Sequence, residues 1–204
     1  PDGGRMKNGR RVESDEVNAM IDKYVPFLKR AGGGLTISGG EPTTQPEFCR
    51  AVFTHAKKRG LHTALDTSGY LGRKIDDELL DLVDLVLLDL KSMKPRLYEH
   101  VTGVELEPTL DFARRLAARG TPAWIRFVLV PGLTDDPENV EALGRFVAQM
   151  PNVERLEVLP FHQMGAFKWT ELGLDYLLED TPPATMEQAE VAKTALRAHG
   201  IRVA

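Results

Sequence analysis

Several residues capable of chemistry recur at comparable places along this chain. Ser38, Gly39, Gly40, Glu41 and Pro42 follow the short β-branched run Leu35-Thr36-Ile37, so two residues without Cβ atoms and one carboxylate stand where an extended segment turns. Asp66 and Ser68 follow His62 to Leu65, Asp89 and Lys91 follow Leu85 to Leu88, and His162 follows Arg155 to Leu159. Arg126 lies partway along the apolar run from Ala123 to Val130. Carboxylate, ammonium, guanidinium and imidazole groups are what a site uses to bind a charged ligand or move a proton. Each has a structural use as well: Gly-Gly-Glu-Pro also makes a strand-to-helix turn, Asp66 can cap a turn, and Lys91 can be solvated. If the runs before them are parallel strands, however, all these residues converge on one mouth at the strands' C-terminal ends.

The elements needed for that convergence are legible. Val17, Met20, Ile21, Tyr24 and Leu28 recur at helical spacing after Ser14, a candidate N-cap, which predicts a helix over 15–30 kinked at Pro26. Gly32, Gly33 and Gly34 stop it and lead into the first strand; they match neither a Walker loop nor a dinucleotide fingerprint. Pro46 opens a second helix carrying Phe48, Val52 and Ala56, which Gly60 ends. Further helices are predicted around Ile75, Leu79, Leu82 and Val83, and from Pro108 to Ala118, with Leu110, Ala113, Leu116 and Ala117 inward. Another carries Val140, Leu143, Phe146 and Val147 behind an Asp136-Pro137 start, and the last opens with Thr185 and Gln188 at capping-box spacing. Residues 163–183 read as irregular. Five strand-helix units without a large insert predict an α/β fold with a parallel sheet, too few strands for a closed eight-stranded barrel. Because a helix precedes the first strand and the chain opens on Pro1-Asp2-Gly3-Gly4, the expectation is a single domain over 1–204 lacking its first strand, cut from a longer protein.

Composition narrows the function classes. The chain has 204 residues, is 42% hydrophobic and carries a net charge of −4, which suits one α/β domain and gives no basic surface for nucleic acid. No apolar run is long enough to span a membrane and no signal peptide opens the chain, so no membrane partner and a cytoplasmic location are expected. Cys49 is the single cysteine, which excludes an internal disulfide and a multi-thiolate metal site.

Five stretches in order, Ser38-Gly-Gly-Glu-Pro42, Asp66-Thr-Ser-Gly69, Leu87-Leu-Asp-Leu-Lys91, Trp124-Ile-Arg-Phe-Val128 with Pro131-Gly132, and Leu159-Pro-Phe-His162 with Gly165 and Lys168-Trp169, carry a resemblance. The chain resembles the glycyl-radical-enzyme activating proteins of the radical S-adenosylmethionine (SAM) superfamily over nearly its whole length. The resemblance implies a partial (β/α)6 TIM-like barrel in which Ser38, Gly39, Gly40 and Glu41 hold the methionine end of SAM, with Asp66, Lys91, Arg126 and His162 around the rest. It implies reductive cleavage of SAM to a 5′-deoxyadenosyl radical that takes a hydrogen atom from a glycine of a partner, the glycyl radical enzyme, with a reduced flavodoxin-like electron donor. The family's three-cysteine motif, which ligates a 4Fe-4S cluster, is absent, so the chain as given is expected to lack redox activity.

Asp66 and Asp89 add an electrostatic expectation. If they end neighbouring strands about 5 Å apart, their repulsion is on the order of 3 kcal/mol at an effective dielectric near 20. The pair is therefore expected to hold a cation, either a metal ion on oxygen ligands or the charged part of SAM. Other readings remain open: a derivative of the fold that only binds a nucleoside or a protein, an activase for another glycyl radical enzyme, and an ordinary lyase or isomerase using Glu41 and His162 as acid and base.

Overall fold

The computed structural model describes residues 11–204. Its five strands fall where the sequence places them: β1 (Gly34–Ile37), β2 (His62–Thr67), β3 (Leu85–Asp89), β4 (Ala123–Leu129) and β5 (Val153–Pro160). They form one parallel sheet in the order β1-β2-β3-β4-β5. Sequential parallel neighbours require a crossover each time, supplied chiefly by α2 (Pro46–Lys58), α3 (Asp77–Leu80), α4 (Pro95–Thr102), α5 (Glu107–Arg119) and α6 (Pro137–Val147). After β5 come α7 (Ala166–Leu172) and α8 (Met186–Arg197); α1 (Ser14–Arg30) precedes β1. The last residues then return to the sheet, where the Leu156 N–H donates to the Arg202 carbonyl and the Ala204 N–H to the Leu156 carbonyl, each at 2.9 Å.

Burial alternates cleanly along β4, and this fixes which side chains reach the site. On β4, Ala123, Ile125, Phe127 and Leu129 are buried while Trp124, Arg126 and Val128 are half-buried. Leu65, Val86, Leu88, Leu156 and Val158 lie on the same covered face and pack with Phe53, Phe112, Leu116 and Leu143 from the helices. Fully burying such a side chain contributes about 1.5–3 kcal/mol, so a slip of one residue, which would bring Arg126 into this core, is strongly disfavoured. The opposite face carries Asp66, Asp89, Arg126 and Glu157.

The helices depart from expectation in instructive places. The N-cap of α1 is Glu13 rather than Ser14, and the helix continues through Pro26 to Arg30 as one element. Its buried stripe is also narrower than the spacing suggests: Ile21 packs on Val52, Ala56 and Leu61, whereas Met20 and Tyr24 are 50% and 57% exposed. The predicted helix around Ile75 to Val83 shrinks to the four residues of α3, capped by the Asp76 carboxylate accepting from the Leu79 N–H. Helix α4 lies in a stretch where no helix was predicted, and α7 lies inside the stretch read as irregular. The reason for α7 is physical: it buries no residue, so no apolar period marks it. The capping box of Thr185 and Gln188 is formed as the spacing predicts. Among the described residues no helix is long and apolar enough to cross a membrane.

Candidate functional site

Of the polar residues at the strand ends, Asp66, Asp89 and Lys91 meet around Arg126, and Glu41 meets Thr67 and Ser68. In the β3–β4 register Asp89 lies opposite Arg126, whereas Asp66 lies opposite Leu87, so the two aspartates are diagonal rather than facing neighbours. Diagonal positions are about 7–8 Å apart, farther than the facing arrangement assumed from the sequence, and that gap admits a guanidinium. Arg126 Nη2 donates to Asp66 Oδ1 at 2.5 Å and its Nε to Asp89 Oδ1 at 3.0 Å. Lys91 Nζ donates to Asp89 Oδ2 at 2.9 Å. In this structure the positive charge between the two carboxylates is the Arg126 guanidinium, with the Lys91 ammonium on Asp89. Burial still pushes the Asp66 carboxyl above the usual range, helped by the Asp89 charge and opposed by Arg126 and Lys91. Among the described residues no group of three or more His, Cys, Asp or Glu side chains is arranged to hold a metal ion.

Glu41 is spent on its own chain. Its Oε1 accepts from the Thr43 N–H at 3.2 Å, from Thr43 Oγ1 at 2.7 Å and from Thr67 Oγ1 at 2.7 Å. Its Oε2 accepts from the Ser68 N–H at 2.9 Å and Ser68 Oγ at 2.6 Å. A carboxylate offers about four lone-pair positions, and these donors saturate them. Burial raises the Glu41 pKa, but the bonds from Ser68, Thr43 and Thr67 outweigh it and hold the carboxyl below its ordinary value. Such a group is a poor proton acceptor near neutral pH, which removes the acid-base reading built on Glu41 and His162. Thr43 and Thr67 were not singled out from the sequence; nothing in their spacing announces that one carboxylate ties the loop after β1 to the loop after β2.

What the first loop offers a ligand is backbone. Gly39 and Gly40 have φ of +84° and +48°, both are exposed, and nothing lies within 4 Å of where their Cβ atoms would be. Ser38, also exposed, directly follows β1 beside them. His162 is exposed just beyond β5, with Nδ1 accepting from the Met164 N–H at 3.3 Å.

This fold and mouth define a radical SAM domain, and comparison with known proteins agrees: residues 2–143 match the model of the radical SAM superfamily. The chain is 41% identical over 197 residues to the pyruvate formate-lyase 1-activating enzyme of Escherichia coli K12, covering 96% of this chain and 80% of that protein. It is 42% identical over 201 residues to the pyruvate formate-lyase-activating enzyme of Streptococcus mutans, covering 95% and 76%. The crystal structure of a domain of pyruvate-formate lyase-activating enzyme from Bacteroides vulgatus matches with a TM-score of 0.69 at 26% identity, covering 84% of this chain and 98% of that one. The chain therefore belongs to the radical SAM superfamily and, within it, to the pyruvate formate-lyase-activating enzymes.

The family uses SAM and a 4Fe-4S cluster. The residues here suit the first: open backbone groups at Gly39 and Gly40 lie near a cluster of both signs, which matches a ligand with an amino group, a carboxylate and a sulfonium. They do not suit the second. Cys49, the one cysteine, is buried with Sγ against the Pro42 carbonyl at 3.4 Å, and burial together with the Glu41 charge pushes its thiol up to about 11. A cluster requires several thiolates, which this set does not provide.

Proposed function

We propose that residues 1–204 form one SAM-binding domain of an enzyme that activates pyruvate formate-lyase by installing a glycyl radical on it. The observation that carries this reading is the meeting of Asp66, Asp89, Lys91 and Arg126 in one ion-paired cluster at the strand ends, with the Gly39–Gly40 backbone presented by the neighbouring strand. Gly39 and Gly40 bind the amino end of SAM through main-chain groups, Ser38 flanks them, and Glu41 fixes their loop. Lys91 and Arg126 serve its carboxylate, and His162 closes the mouth from β5. Asp66 and Asp89 are the oxygen donors that receive a positive group, a metal ion or the charged part of SAM, in exchange for the Arg126 guanidinium. Bound there and given one electron by a flavodoxin-like donor, SAM would supply reductive cleavage of its C5′–S bond, with methionine leaving and the 5′-deoxyadenosyl fragment able to take a hydrogen atom from a glycine Cα.

Because these residues provide no thiolate set, the chain as given binds SAM without cleaving it. Calorimetry on the purified chain should give a measurable SAM dissociation constant, weakened when Arg126 is replaced by Met, across titrations of Na⁺, K⁺ and Mg²⁺. Anaerobic incubation with iron and sulfide should give no 4Fe-4S paramagnetic signal after reduction. Absence of SAM binding under all these ionic conditions would sink the proposal, and a stable cluster signal would overturn its second half.

A further inference from the structure

Two hydroxyls behind the mouth are connected to it although both are buried. Thr109, in the first turn of α5, is 0% exposed, and Tyr98, in α4, is 1% exposed. Thr109 Oγ1 donates to the Ser68 carbonyl at 3.1 Å. A threonine hydroxyl has one proton, so in the 2.9 Å contact between Thr109 Oγ1 and the Tyr98 hydroxyl the tyrosine is the donor. Burial pushes the Tyr98 phenol above its ordinary value, which keeps that proton in place at neutral pH. Ser68 then passes the connection on, since its N–H and hydroxyl both donate to Glu41, and Glu41 directly follows Gly40. A valine at position 109 would fill nearly the same volume without burying a polar atom, so packing alone does not call for the hydroxyl.

We propose that Thr109 and Tyr98 are positioning residues for SAM. Acting in series from two separate helices, they hold Ser68, through it Glu41, and through Glu41 the Gly39–Gly40 backbone in its binding conformation. This rests on the reading that SAM binds at Gly39–Gly40. The chain of contacts is directional: the helical hydroxyls reach the loop after β2 first and the loop after β1 only through Glu41. Losing either hydroxyl should therefore loosen residues 67–69 more than residues 39–42, and leave the Asp89 and Arg126 end of the mouth as it was.

The test uses the full chain with Thr109→Val, Thr109→Ser and Tyr98→Phe, read by amide hydrogen exchange and by SAM calorimetry. Thr109→Val should accelerate exchange at 67–69 and, less strongly, at 39–42, with β3 to β5 unchanged, and should weaken SAM binding by about tenfold, because the Ser68 carbonyl loses its donor and the Tyr98 hydroxyl its acceptor. Thr109→Ser, which keeps the hydroxyl while losing a methyl, should return both readouts to within about twofold of wild type. A residue that mattered only for packing would behave in the opposite order, with serine worse than valine. Should Thr109→Val fail to fold, Tyr98→Phe carries the same readouts with a smaller change. Unaltered loop exchange in the hydroxyl-free variants, or no rescue by serine, overturns the proposal. Failure of the wild-type chain to bind SAM would instead remove the ligand reading, and the exchange data would separate the two outcomes.

Discussion

Glu41→Ala lowers the stability of this chain by about 3 kcal/mol and removes SAM binding. The magnitude follows from what the substitution strands: the Thr43 and Ser68 N–H groups and the Thr43, Thr67 and Ser68 hydroxyls lose their acceptor in a half-buried setting. Each orphaned donor costs about 1–3 kcal/mol, and the sum is reduced because the loops relax and admit water. Binding is lost for a different reason: the two loops separate, and the Gly39–Gly40 backbone no longer has one conformation. Glu41→Gln should keep the shape but turn an amide NH₂ toward donors, giving roughly half the destabilisation.

The charge of Glu41 supplies a second readout. Its folded pKa is lowered from 4.5, so its contribution is fully present above the unfolded value and is lost as pH falls through the folded one. Urea unfolding of wild type and Glu41→Gln should therefore differ most above pH 4.5 and converge at lower pH. Subtracting the two curves isolates this residue from other carboxylates held low, such as Asp76 and Asp136. A difference independent of pH would mean that the carboxylate acts by shape alone.

The same two loops mark what the sequence could reveal. Strand positions were legible from short apolar, β-branched runs such as Leu85 to Leu88 and Ala123 to Val130, each halted by polar or turn residues, and Asp66, Asp89 and Arg126 could be placed toward one end because parallel strands share an end. The register was not legible. Whether Asp66 faces Leu87 or Asp89 depends on a stagger that no single strand contains, and this stagger decides whether the two carboxylates face each other or leave room for Arg126 between them. Likewise, the Gly-Gly-Glu-Pro stretch located Glu41 but not its task, because the donors that saturate it come from Thr43, Thr67 and Ser68, the last two at the end of β2 and directly after it. Contacts between loops leave no period for a sequence to show. Helix α7 was illegible for a related reason, since a helix with no buried face carries no stripe.

Arg126→Met should be the most damaging substitution in the charged half of the mouth. The guanidinium is 22% exposed and both aspartates 19%, so the pair energies are screened less than at a surface and more than in a dry core. About 2 kcal/mol of destabilisation at neutral pH is expected, arising mainly from two diagonally placed carboxylates left without the guanidinium between them, with Lys91 as their remaining cation. Asp66 is already raised above 3.8 by burial, and removing Arg126 takes away its strongest opposing influence. A carboxyl with a raised folded pKa loses stability as pH increases from the unfolded value through the folded one, because the unfolded chain releases the proton first. The Arg126→Met defect should accordingly grow with pH across that window and shrink below pH 3.8, where Asp66 is mostly protonated in both states. Adding Asp66→Asn should recover about 1 kcal/mol or more at neutral pH, since the neutral amide no longer repels Asp89. Urea denaturation of the wild type, the two single variants and the double variant at several pH values checks this. Should the double variant be simply additive and the defect flat with pH, Arg126 holds the strands by packing, and the charge balance at the mouth is set elsewhere.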